Sequence, residues 1–168
     1  GSCSTPTFSC LGSSSAVRGR IAAKATLYGY LGALERLYLI EDQEAWAPRV
    51  RSRTRLTSGA KRHLADPSLA VAALGVTPER LLSPAEIELA GLLFESQVIH
   101  DLRIYAEAHG ASVLHYRSKN GRHEADAIVE HRDGRWIGVE IKLGHGSIDR
   151  AAQSFLAVRD TVTNDADP

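Results

Sequence analysis

The chain has 168 residues, 43% of them apolar, with Lys plus Arg and Asp plus Glu balanced at 20 each. That length suits one ordinary domain with a small appendage, the apolar fraction suffices for a packed core, and the neutral balance gives no global attraction to a polyanion. No apolar run reaches the roughly 18 residues of a membrane-spanning helix, and Cys3 and Cys10 both lie near the N-terminus, away from any histidine cluster, which argues against membrane insertion, a disulfide framework and a zinc site.

In chain order, residues 1–16 are rich in Ser, Thr and Gly and lack the basic start and apolar core of a signal peptide. The stretch 1–22 is therefore expected to be a disordered tail or a cloning remnant, and the cytoplasm is the default location. From Ala23 to Leu39 the spacing predicts a helix whose stripe of Leu27, Tyr30, Leu31, Leu34, Leu37 and Tyr38 is buried. LYLIEDQEAW then turns strand-like. In RVRSRTR, Arg49, Arg51, Arg53 and Arg55 alternate, so an extended chain carries all four on one side, and Lys61, Arg62 and His63 follow. Two readings stand: a solvated edge strand protected against aggregation, or a stripe that contacts phosphates.

Asp66-Pro67-Ser68 predicts a helix start and Gly75 its stop. Ser83-Pro84-Ala85-Glu86 predicts a second, capped start, with the helix running to about His109 and Gly110 ending it. Its expected buried stripe is Ile87, Leu89, Leu92, Leu93, Val98, Leu102 and Tyr105, and it carries Glu95 and His100. Beyond it, ASVLHYR, HEADAIVEH and RWIGVEIKLG read as three strands joined by turns at Asn120-Gly121 and Asp133-Gly134, with a helix over 147–159 and a polar tail over 161–168.

Hydrophobic matching sets the register of the second hairpin. A three-residue loop, Arg132 to Gly134, pairs Ala125 with Ile141, Ala127 with Val139 and Val129 with Ile137, all apolar. The same register sets Asp126 opposite Glu140 and Glu124 opposite Lys142. A two-residue turn at Asn120-Gly121 adds Arg117 opposite Glu124 and His115 opposite Asp126. Adjacent carboxylates repel unless compensated, and a hard divalent cation such as Mg2+ compensates them well, with a neighbouring lysine to orient or help deprotonate water. The alternative is an ordinary polar face whose pairs, such as Glu124–Lys142 and Glu130–Arg132, contribute little. His115 is a ligand or proton shuttle in the first reading and a simple hydrogen-bond partner in the second. The histidines His63, His100, His109, His123, His131 and His145 show no ligand spacing.

Asp126 on the second strand with Glu140-x-Lys142 on the third resembles the PD-(D/E)xK nuclease superfamily. The resemblance implies a restriction-endonuclease-like α/β (α+β) core, a three-stranded antiparallel meander flanked by helices, with Glu95 as the helical glutamate. A closer resemblance is to the C-terminal DUF4143 region of prokaryotic P-loop (AAA-type) ATPases, through YLGALERLYLIED (30–42), KRHLADPSLA (61–70), FESQVIHDL (94–102), HYRSKNGRHEADAIVE (115–130) and VEIKLG (139–144). It implies a partial winged-helix-like segment over 23–60, with the arginine stripe on or just after its wing, and a truncated nuclease-like domain over 61–160. The chain lacks a G-x-x-x-x-G-K-[ST] stretch, so it is expected to be a fragment whose partner is the N-terminal ATPase module of the parent chain. It is also expected to lack the last strand of the fold, leaving an edge through which it forms a homo-oligomer.

Three functions follow as expectations. The first is a DNA-associated, non-catalytic or regulatory module of the ATPase. The second is an active Mg2+-dependent nuclease in which Asp126 and Glu140 hold the metal, Lys142 assists the water, Glu95 orients, and Arg49, Arg51, Arg53 and Arg55 hold DNA. The third is a purely structural or oligomerisation domain.

Overall fold

The computed structural model describes residues 24–48, 58–118, 121, 123–144, 146 and 148–166. Helix α1 (Lys24–Arg36) leads into a two-stranded antiparallel pair, β1 (Ile40–Gln43) and β2 (Lys61–Leu64). Two short helices follow, α2 (Pro67–Leu74) and α3 (Pro78–Leu81), and then the long α4 (Ile87–Ala108). A meander of β3 (Ala111–Arg117), β4 (Glu124–His131) and β5 (Trp136–Val139) is antiparallel throughout, in the order β3-β4-β5, and α5 (Ile148–Ala166) closes the chain. This is the expected mixed architecture: a three-stranded antiparallel sheet flanked by helices.

Two apolar clusters sit against the sheet. Ile99 and Ala106 of α4 pack with Val113, Ala127 and Ile141. Trp46, Tyr116, Ala125 and Ile128 pack with Val158 and Val162 of α5. Val162 extends that second stripe past the polar composition of the C-terminus, which is why the helix expected over 147–159 runs on to Ala166. Glycine is required where Gly138 of β5 lies under the Phe155 ring of α5, because a Cβ there would overlap the ring. We expect Gly138→Val to cost about 1–3 kcal/mol through overpacking. Combining it with Phe155→Ala should recover part of that loss in urea unfolding, and additive losses would contradict the packing described.

Local signals behave as their chemistry dictates at α2. Asp66 accepts from the Ser68 amide at 2.9 Å, Pro67 occupies the first turn, and Gly75 ends the helix in the left-handed region. At α4 the expected cap fails. Ser83 to Glu86 forms a separate turn, closed by the Glu86 amide on the Ser83 carbonyl at 3.1 Å, and the helix starts three residues later without a side-chain cap.

Two expected buried stripes also change. Leu27, Tyr30, Leu34, Leu37 and Tyr38 of the N-terminal stretch are exposed, Tyr38 at 85%, and Leu31 is only half-buried. In α4 the buried positions are Ala90, Leu93, Ser96, Ile99 and Ala106, while Ile87 and Tyr105 face outward. The contact face mixes Leu93 and Ile99 with the small residues Ala90, Ser96 and Ala106, so it is not marked by large apolar side chains alone.

Candidate functional site

The site is built by a register change in β4. The second hairpin takes the expected register at Ala127 with Val139 and Val129 with Ile137, but the expected pair of Ala125 with Ile141 is not part of the ladder; Gly134 adopts the left-handed φ of 85° that its place in the three-residue loop demands. On the other side, Arg117 pairs with Glu124 and Tyr116 with Ala125, as expected, but Leu114 pairs with Ile128. Two steps along β3 therefore match three along β4. Asp126 and Ala127 together oppose His115, a bulge that moves Ala125 into the α5 cluster while Ala127 stays with α4. The simple His115–Asp126 pairing expected from a uniform ladder is thus replaced.

The reason lies in a segment far away in sequence. His115 gives its amide to the Glu44 carbonyl at 2.9 Å, and its carbonyl accepts from the Trp46 amide at 2.6 Å. Residues 44–46 thereby add a short parallel rung to the outer edge of β3. Trp46 is anchored there by a tilted contact with the Trp136 ring, centroids 5.2 Å apart, and by its Nε1 donating to Glu130 at 3.0 Å.

The β4–β5 ladder ends at Ala127–Val139, and Asp126 continues it with its side chain. Its Oδ2 accepts from the Ile141 amide at 2.8 Å. Lys142 lies between two carboxylates, 3.3 Å from Asp126 Oδ2 and 2.7 Å from Glu140 Oε1. Glu124 bonds Arg117 at 2.7 Å instead of the expected Lys142. On the other flank, Lys61 of β2 reaches in, 3.4 Å from Glu95 Oε1 and 3.9 Å from Asp126 Oδ1. The structure therefore brings Asp126, Glu140 and Lys142 together directly and joins Glu95 to them through Lys61. Arg49, Arg51, Arg53 and Arg55 lie outside the described residues.

Electrostatics follow from burial and these pairings. Burial, then the charge of Asp126, raises the Glu140 carboxyl above its usual range, with Lys142 opposing. Burial also raises Glu95, partly offset by Lys61. For Lys142 burial acts downward, but the bond to Glu140 and the charges of Asp126 and Glu140 outweigh it and raise the ammonium. Desolvated carboxylates are chemically suited to a hard cation such as Mg2+. Yet the spaces between them are filled by ammonium groups, and among the described residues no group of three or more His, Cys, Asp or Glu side chains is placed to hold a metal ion.

Behind the site is a buried polar chain that the sequence spacing did not reveal. Gln43 donates through Nε2 to the Asp126 carbonyl at 3.0 Å, so its Oε1 faces His63 Nε2 at 3.1 Å. The proton then belongs on His63 Nε2, and Nδ1 accepts from the Ser96 hydroxyl at 3.3 Å. Gln43 and Ser96 carried no signal in the sequence. Lys61 and His63 carried one, their alternation on one strand face, but it was absorbed into the reading of a basic stripe. His115 bonds the Gly59 carbonyl through Nε2 at 3.2 Å, and its buried Nδ1 has no hydrogen-bond partner among the described residues. His100 and Arg103 of α4 hold Glu41 of β1, at 3.2 and 3.5 Å.

Residues 90–167 match the family model described as Domain of unknown function (DUF4143), and residues 11–80 match one described as Domain of unknown function (DUF8612). No curated protein and no solved structure matches the chain. The cluster draws on both matched stretches: Lys61 comes from the first in sequence, and Glu95, Asp126, Glu140 and Lys142 come from the second.

Proposed function

We propose that this chain is a nuclease-like, DNA-associated regulatory module of a P-loop ATPase, in which Asp126, Glu140 and Lys142 act as a structural tie and not as a hydrolytic centre. The observation that carries this reading is the commitment of Asp126. One oxygen terminates the β4–β5 ladder on the Ile141 amide and meets Lys142, and the other faces Lys61. Oδ2 so engaged has little left to offer a metal, and the ammonium of Lys61, 3.9 Å from Oδ1, opposes a divalent cation there by its charge. DNA would be held by the alternating Arg49, Arg51, Arg53 and Arg55, whose spacing and place in the family resemblance support phosphate contact.

The test is duplex binding by fluorescence anisotropy across a salt series. Four phosphate contacts predict log K falling with log salt at a slope of about −3 to −4, and Arg51→Ala with Arg53→Ala should flatten that slope by about 2. No strand scission is expected with Mg2+ or Mn2+. Salt-insensitive or absent binding would sink the reading.

The desolvation of Glu95 and Glu140 favours a second reading, the Mg2+-dependent nuclease, in which Asp126 and Glu140 would hold the ion and Lys142 would assist the attacking water. Scission lost in Asp126→Asn would decide for it.

A further inference from the structure

We propose that Lys61 is the built-in counter-cation of the carboxylate cluster: it holds Glu95 of α4 and Asp126 of β4 at one centre and thereby keeps divalent cations out of that flank. The inference deepens the reading of Asp126 as a structural tie and rests on it, but not on DNA binding. Lys61 is the one member of the cluster drawn from β2, on the far side of α2, α3 and α4 in sequence. Its side chain is 16% exposed, and its ammonium is 3.4 Å from Glu95 and 3.9 Å from Asp126. Lys142 bridges Asp126 and Glu140 in the same manner on the other flank. The three carboxylates and two ammonium groups thus alternate, Glu95–Lys61–Asp126–Lys142–Glu140, and no two carboxylates need to face each other uncompensated.

Strand pairing fixes where Lys61 points. Its partner on β1 is Gln43, and His63 shares its strand face two residues on. His63 is locked to Gln43 and Ser96, and Gln43 is locked to the Asp126 carbonyl. The polar chain that fixes the backbone at the bulge therefore also fixes the strand that delivers Lys61. The charge of Lys61 is felt by His63, His115 and Glu95, as expected of a cation central to the buried polar region.

An ammonium between two carboxylates occupies the position in which a divalent cation would bridge them. Removing it leaves Glu95 and Asp126 in mutual repulsion within a desolvated pocket, and the cheapest compensation is a cation from solution. Lys61 is in this sense a positioning residue, and its removal should create a metal response that the native chain lacks.

The experiment is a thermal melt of the full chain with and without about 10 mM Mn2+, for the native sequence, Lys61→Met, Lys61→Arg and the double variant Lys61→Met with Asp126→Asn. The expected result is a Tm rise of about 3 °C or more with Mn2+ in Lys61→Met alone, and no rise in the other three. If Lys61→Met does not fold by itself, folding restored by Mn2+ supports the proposal, and a chain that stays unfolded with Mn2+ overturns it. It is also overturned by a Lys61→Met protein that responds no more than the native chain, or by a response that survives Asp126→Asn. A chain that gains the Mn2+ response yet does not bind DNA keeps this inference and loses only the DNA-associated function.

Discussion

Asp126→Ala is expected to destabilise the chain by about 3 kcal/mol, equally with and without divalent cations. The cost has two sources. The Ile141 amide loses its acceptor at the end of the β4–β5 ladder, and a partly buried donor left without a partner costs about 1–3 kcal/mol. Lys142 and Lys61 each lose one of their two carboxylates; the loss falls mainly on Lys61, whose side chain is 16% exposed, since Lys142 is exposed and water screens its charge. Asp126→Asn separates these terms. The amide oxygen can still accept from Ile141, so the ladder keeps its terminal bond, and only the charge is lost. A loss of about 1 kcal/mol is expected for it, read from the urea midpoint at constant slope. Equal losses in the two variants would refute the ladder role, because charge alone would then explain both. A loss for Asp126→Ala that grows when Mn2+ is added would instead assign Asp126 to a metal.

How much of this was legible in the sequence depends on the range of the interactions. The Asp133-Gly134 hairpin was readable because its register is decided locally: only one pairing sets Ala127 on Val139 and Val129 on Ile137, and Gly134 supplies the left-handed residue. The cap at Asp66 was readable for the same reason, since donor and acceptor are two residues apart. The bulge was not. It depends on His115 spending its backbone groups on Glu44 and Trp46, about 70 residues earlier, and nothing in HEADAIVEH announces that. The same distance hid β2, and with it Lys61. A Lys-Arg-His run reads as a surface stripe until its pairing with β1 turns Lys61 and His63 inward. The exposed stripe of α1 marks a different limit. Periodicity shows that a helix has an apolar side, not what covers it. The candidate triad of Asp126, Glu140 and Lys142 was therefore legible, while of the residues that set its chemistry Gln43 carried no local signal and Lys61 carried one that reads equally well as a surface stripe.

The second large effect is acid sensitivity arising from the histidines around that stretch. His63 is 6% exposed and His115 is 3% exposed. Burial, followed by the charges of Lys61, Arg103 and His115, depresses His63 from 6.5 to about 4, against a smaller pull from Asp126. Burial and then the charge of Lys61 depress His115 to about 4 as well, with its bond to the Gly59 carbonyl opposing. Both imidazoles are thus neutral in the fold at pH values where an unfolded chain would protonate them. The unfolded state binds more protons between about 4 and 6.5, so stability is fully present above 6.5 and is lost as pH falls toward 4. From about pH 7 to about pH 5 each histidine should remove about 2 kcal/mol. Glu95 and Glu140 work in the opposite direction, because their raised values make the folded state the better proton binder, and they oppose the fall. At His115 the second ring nitrogen acts in the same direction as burial, because protonation would place an N–H at Nδ1, for which no acceptor is present among the described residues. Imidazole resonances followed by NMR should show both histidines untitrated down to about pH 5, while urea midpoints fall over the same range. If His63 titrates near 6.5, the buried neutral network around Gln43 does not exist in solution as described, and if His115 does, its ring is not buried against Gly59.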